Sequence, residues 1–164
     1  MLCEISDLYN YNISRVLKED IPSIYNFIIK NDIDLKCYLT SNSIEEKINE
    51  ALYCRGELFL KIENQYEEVI GIIRGRIDFD FYNRLWLSLF KISDDIPEKM
   101  KKKIFNYFTE RVSESYSIYK IEIGVSSEDN TLFFLKSCGF SISRILKNYF
   151  TFGNENHSLI ILNR

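Results

Sequence analysis

The sequence predicts a mixed α/β fold, one sheet covered by helices, and three observations carry that expectation. Tyr119–Phe140, YKIEIGVSSEDNTLFFLKSCGF, reads as a strand, a loop and a helix in direct succession. In its first part Ile121, Ile123 and Val125 alternate with Lys120, Glu122 and Gly124, the period-two pattern of a strand with one buried face. A second strand is expected directly after Phe140, and strand, helix and strand in that order make a crossover unit, which belongs to a sheet with helices against it rather than to a bundle or a sandwich. The third observation is composition: 46% hydrophobic and 15% aromatic residues in a chain of 164 suffice for the core of one domain spanning 1–164.

Taken in order, Asn12–Leu17 alternates Ile13, Arg15 and Leu17 with Asn12, Ser14 and Val16 and reads as the first strand. LKEDIPSIYNFIIK follows as a helix, with Asp20 as its cap and Pro22 inside the first turn. Ser43 and Glu46 stand at capping-box spacing around Ile44, Ile48 and Leu52, which places a second helix there, ending near Gly56. Leu58, Leu60 and Ile62, then Val69–Phe81, give two alternating strands around the polar turn ENQYEE, an antiparallel hairpin. Arg84–Ile92, RLWLSLFKI, is too apolar for a half-exposed strand and is expected at the centre of the sheet.

After it, SDDIPEKMKKKIFNYFTERVSES reads as the third helix. Asp95 and Glu98 bracket Pro97 as start signals, and Met100, Ile104, Tyr107, Phe108 and Val112 share a face. The fourth helix starts at the cap-type residues Ser127, Asp129 and Asn130 and stops where Gly139 takes the left-handed conformation. Ser141–Leu146, Asn148–Phe152 and Ser158–Leu162 read as short closing strands. The sheet is therefore mostly antiparallel with one parallel pair at its centre, Arg84–Ile92 beside Ile118–Val125. That pair splays at its C-terminal ends, where open α/β sheets bind ligands.

Charge and cysteine usage narrow the functions. A net charge of −3 and a pI near 5.3 offer no basic face for phosphate backbones, so a nucleic-acid partner is not expected. Cys3, Cys37, Cys54 and Cys138 have no ligand spacing with each other or with His157, so no metal site is expected, and they read as reduced thiols. MLCEISDLYNYN lacks the basic start and apolar run of a signal peptide, and no later segment is apolar over membrane-spanning length. The expectation is a soluble cytoplasmic protein with no membrane partner. His157 shows no Ser, Cys or Asp arrangement from which a triad could be argued.

The order β-α-α-β-β-β-α-β-α-β-β resembles that of the GNAT superfamily of acyl-coenzyme A dependent N-acyltransferases. The most specific part is IEIGVSSEDNTLFFLKSCGF, similar to the family's strand, Asn-containing loop, helix and Gly-Phe closure. Ile145–Phe150, ILKNYF, is similar to the "NYY" segment of the branch that acetylates protein N-termini and small amines. The resemblance implies a single GNAT-like domain, α/β (α+β) in class, that moves an acetyl or other acyl group from acetyl-CoA to a primary amine by direct attack in a ternary complex. The acceptor would be a small molecule or a peptide, and the protein a monomer or homodimer.

The resemblance also assigns residues. The backbone of Phe90, Lys91 and Ile92 would pair with the pantetheine arm like an added strand. The family holds the cofactor pyrophosphate on a glycine-rich loop at a helix N-terminus. Here that stretch is SDDIPEKMKKK, which puts Ile96 at the family's Arg/Gln position and Lys99 and Lys101 at its two small positions, with no glycine between Gly75 and Gly124. Lys99 and Lys101 would meet phosphate as ammonium groups, or EKMKKK is simply the solvated face of a helix. Asn130 falls near the loop Asn that contacts the cofactor, or acts only as a helix cap.

Where many members carry a Tyr that protonates the departing thiolate, this chain has Leu135, and Tyr149 is the nearest residue able to do so, or an aromatic on a short strand. Glu122 is the carboxylate on the strand that would carry a general base, or an exposed strand residue. Asp78 and Asp80 would draw in a cationic amine, or form a solvated edge. A second class of function stays open: a catalytically silent module that keeps the fold to bind a protein or small ligand.

Overall fold

The computed structural model describes residues 5–8, 10–31, 44–79, 82–126, 131–152 and 155–164. The expectations placed on Ser43, Asp80, Ser127, Asp129 and Asn130 fall outside them. The elements are β1 (Ile5–Leu8), β2 (Tyr11–Arg15), α1 (Ile21–Lys30), α2 (Ile44–Tyr53), β3 (Glu57–Asn64), β4 (Val69–Asp78), β5 (Arg84–Ile92), α3 (Glu98–Tyr116), β6 (Lys120–Ser126), α4 (Thr131–Ser137), β7 (Ser141–Phe152) and β8 (Glu155–Asn163). The strands form one sheet in the order β1-β2-β3-β4-β5-β6-β8-β7. Apart from β1, this is the succession the sequence predicts. The two short strands expected at Ser141–Leu146 and Asn148–Phe152 are one strand, β7, interrupted by irregular pairing.

The chain divides into two compact units, Met1–Ile77 with Ser88–Lys101, and Asp78–Leu87 with Lys102–Arg164. In the first, β2–β3 and β3–β4 pair antiparallel, the latter as the expected hairpin. Its turn is held by the Asn64 side chain, whose Oδ1 accepts the N–H groups of Tyr66 (2.9 Å) and Glu68 (3.0 Å). α1 turns Ile24, Phe27 and Ile28 inward at helical spacing, onto a core with Val16, Ile48, Phe59, Ile72 and Leu89. Pro22 sits in the first turn of α1 as expected, but Asp20 makes no side-chain cap to that helix. Its carboxylate accepts the Leu17 N–H (2.8 Å) and the Lys61 ammonium (2.8 Å) instead.

Lys61 also reaches Glu63 at 2.7 Å, and all three side chains are largely buried. Burial alone would lower the Lys61 pKa, but its hydrogen bonds to Asp20 and Glu63 and their charges outweigh that penalty and raise it above 10.5. A raised folded-state value stabilises the fold fully below the unfolded value and loses that contribution as pH rises through the folded one. Chemical denaturation should therefore show a stability step above about pH 10.5. Lys61→Met should remove the step and lower stability near neutral pH by about 1.5–3 kcal/mol, since two largely buried carboxylates lose a charged partner. An unchanged alkaline profile in the variant would exclude this linkage.

In the second unit, the remainder of α3 buries Ile104, Phe105, Phe108, Thr109 and Val112. The stripe is wider than the one the sequence predicts: Phe105 joins it, and Met100 and Tyr107 lie only at its margins. The reason is that Phe105 meets the rings of Phe134 from α4 and Phe140, with centroids 5.8 and 5.7 Å away. α4 ends as expected, with Gly139 at φ +89°, Gly139 N–H on Lys136 O (3.0 Å) and Phe140 N–H on Leu135 O (3.1 Å). That double bond pattern satisfies the last carbonyls of the helix and turns the chain into β7.

Candidate functional site

The parallel pairing of β5 with β6 runs over four positions only, from Arg84↔Lys120 to Leu87↔Ile123. Both strands continue beyond it, β5 to Ile92 and β6 to Ser126. A parallel pair that opens partway is the feature the sequence placed at the centre of the sheet.

In the first unit, β5 runs on from Ser88 through Ser93–Pro97 into α3. Ser93 N–H bonds Ile70 O (2.8 Å) and Ile96 N–H bonds Ser93 O (3.1 Å), which makes the connection a tight turn. Pro97 O accepts the N–H groups of Met100 (2.8 Å) and Lys101 (3.0 Å), so α3 starts without a side-chain cap from Pro97. The first N–H groups of a 19-residue helix, those of Glu98 and Lys99, have no carbonyl one turn earlier to bond, and they carry the positive end of its dipole.

The two acidic residues that precede this helix are not bare. Asp94 is bonded by Lys91 Nζ (3.0 and 3.2 Å) and lies 3.5 Å from Lys101 Nζ. Asp95 accepts from Lys30 of α1 (3.3 Å) and from the Ser93 hydroxyl (3.4 Å). The hydrogen bond from Lys91, with the charges of Lys91 and Lys101, holds the Asp94 carboxyl below its ordinary value although slight burial opposes it. Of the residues assigned to the cofactor, Asn130 lies outside the described residues, and the others fall within 90–101: Phe90 half-buried, Lys91 engaged with Asp94, Ile92 buried, Lys99 exposed and Lys101 beside Asp94. The Asp94 carboxylate thus stands between the ammonium groups of Lys91 and Lys101, in a turn that contains no glycine.

In the second unit, Glu122 is buried, with a side chain only 7% exposed, and both its oxygens are taken. Oε2 accepts from Arg84 Nη1 (3.2 Å) and Oε1 from Lys120 Nζ (2.7 Å). Arg84 Nη2 reaches Asp78 at 2.7 Å, so Asp78 is bonded to a cation of the chain itself. That hydrogen bond, with the charges of Glu122 and Asp78, raises the Arg84 pKa further against partial burial. Glu122 stands opposite Trp86 in the parallel ladder, one pair before the ladder ends. Tyr149 is 59% exposed on β7, beside Asn148 at φ +50°. Leu146 pairs with Leu159 and Phe150 with His157, so the residues between bulge past Ser158 and re-aim Tyr149. Leu135, at the family's Tyr position, is fully buried, and His157 is buried on β8.

Arg84, Lys120 and Lys30 were not singled out from sequence. Arg84 and Lys120 are the first residues of the two parallel strands, so the pairing expected between those strands was the signal that brings them to Glu122. Lys30 carried no such signal, because its contact with Asp95 spans 65 residues. Among the described residues, no group of His, Cys, Asp and Glu could hold a metal ion, and no helix is long and apolar enough to cross a membrane.

This helix-covered, mostly antiparallel sheet with one parallel pair is the arrangement of the GNAT fold. The sequence matches the family described as Acetyltransferase (GNAT) domain over residues 13–160, and the chain belongs to that family. No curated protein matches it by sequence. Among solved structures, it is similar to spermidine N-acetyltransferase from Vibrio cholerae in complex with CoA and spermine, at 15% identity over 94% of each chain with a TM-score of 0.78. It is similar to the acetyltransferase of Salmonella typhimurium that modifies the N-terminal serine of ribosomal protein L7/L12, at 11% identity over 95% of each chain with a TM-score of 0.78. A third likeness is to the ribosomal-protein-S5-alanine acetyltransferase of Vibrio fischeri, at 12% identity over 94% of this chain and 92% of that one, TM-score 0.73. At these identities the likeness is one of fold.

Proposed function

We propose that this chain is an N-acetyltransferase that moves the acetyl group of acetyl-CoA to a primary amine of a small molecule or a peptide N-terminus. The observation that carries the proposal is the parallel ladder that stops at Leu87↔Ile123, while β5 runs on through Ile92 into a lysine-bearing turn and a helix N-terminus. Phe90–Ile92 would hold the pantetheine arm along their backbone, and Lys91, Lys99 and Lys101, with Asn130, the phosphates. When bound, the cofactor supplies the acetyl thioester and a thiolate leaving group.

The chain's own residues then have two tasks. Tyr149, 59% exposed at a bulge, would give from its hydroxyl the proton that a departing thiolate requires. Glu122 would take a proton from the acceptor ammonium, freeing the amine to attack, only by releasing Lys120 or Arg84, so its role includes ordering those two cations. Asp78, bonded to Arg84, and Asp80 would bias the entrance toward cationic acceptors. The site is proposed for a cytoplasmic protein, monomeric or homodimeric.

Steady-state turnover of Tyr149→Phe and Glu122→Gln with acetyl-CoA tests these roles. Each should fall by roughly tenfold or more if the group moves a proton in the transition state, with acetyl-CoA affinity unchanged. Turnover equal to wild type in both would remove them from the chemistry. The alternative, a silent binding module, is favoured by one observation: the family's Tyr position is a fully buried Leu135.

A further inference from the structure

We propose that Asp94 is a built-in competitor for phosphate: its carboxylate occupies the Lys91–Lys101 pair, and a pyrophosphate-bearing ligand binds the turn by taking those two ammonium groups from it. The inference rests on the proposed use of CoA and adds which residue sets its affinity. Asp94 is 77% exposed, whereas the lysines it joins are 29% and 20% exposed. The anion is therefore the mobile partner, and the cations are the better-anchored ones. An exposed ion pair is worth little in water, so Asp94 is displaced at small cost by a ligand that brings more negative charge to the same ammonium groups. Asp95 is committed elsewhere, to Lys30 and the Ser93 hydroxyl, and does not share this position.

The consequence is a turn whose affinity depends on ligand charge. In a glycine cradle the backbone N–H groups would wait for phosphate with no competing side chain. Here one carboxylate offsets part of the charge of two ammonium groups in the free turn, which suppresses binding of weakly charged anions and favours ligands with several phosphate charges. Because the competing contacts are exposed, salt screens them.

Calorimetry on the full chain at low and high salt, with CoA, pantetheine and inorganic pyrophosphate as separate probes, tests this. Asp94→Asn should bind CoA and pyrophosphate roughly three- to tenfold more tightly than wild type at low salt, with the difference shrinking at high salt. Pantetheine, which has no phosphate, should bind both proteins equally. Lys101→Met should weaken CoA and reduce, without abolishing, the gain from a second Asp94→Asn change, because Lys91 still joins Asp94 to the ligand site. Equal CoA affinity of wild type and Asp94→Asn at low salt would overturn the proposal, and so would failure of both to bind CoA and pyrophosphate. A clear Asp94 effect on CoA with no acetyl transfer to any amine would leave it standing and remove the proposed function instead.

Discussion

Phe105→Ala should lower the stability of the protein by about 3–5 kcal/mol. Phe105 is fully buried, and it is the ring on which three elements converge. It comes from α3, meets Phe134 of α4 edge-on at 5.8 Å, and meets Phe140 at the start of β7 at 5.7 Å. Truncation removes the transfer free energy of a benzyl group and the two aromatic contacts together, and helices closed by a Schellman turn collapse poorly into the space left. Urea unfolding followed by circular dichroism measures it. A loss below about 1 kcal/mol would mean that α3 and α4 are held by something other than this ring cluster.

Gly71→Ala should cost about 1–3 kcal/mol, a large penalty for one methyl group. A Cβ at this position would lie 2.8 Å from Ile62 Cδ1, 2.9 Å from Lys91 O and 3.2 Å from Ile92 Cγ1. The isoleucine tip can rotate away, but the Lys91 carbonyl is backbone and can move only with β5. The same carbonyl belongs to the stretch proposed to hold the pantetheine arm, so Gly71→Ala should also weaken CoA. An undiminished unfolding midpoint would show that β5 has slack at Lys91.

Much of this architecture was legible because period and punctuation agree. The alternation of Ile121, Ile123 and Val125, the Asn64 turn between β3 and β4, and Gly139 after α4 each have a local cause, and each appears where that cause puts it. The width of the α3 stripe was not legible. Phe105 is recruited by Phe134 and Phe140, a cause tens of residues distant that no helical period encodes. Asp20 likewise has the spacing of a cap, yet Lys61, 41 residues away, draws its carboxylate elsewhere.

The candidate site divides along the same line. The residue types at Glu122, Asp78, Lys101 and Asp94 are visible in the sequence, but their partners depend on strand register and turn geometry. Asp94 and Asp95 are two adjacent negative charges in the stretch SDDIPEKMKKK. Folding brings Lys91 and Lys101 to the first and Lys30 to the second, so the turn is neutralised rather than acidic.

The proposed activity moves an acetyl group onto an amine. It is tested most directly by incubating the purified protein with acetyl-CoA and a panel of polyamines and peptides with free N-termini, following thiol release and product mass together. The predicted result is one acetyl group gained by a primary amine for each thiol released, at a rate that falls in Tyr149→Phe. Binding of acetyl-CoA with no amine acetylated, and thiol release no faster than in buffer, would contradict it and leave a silent binding module.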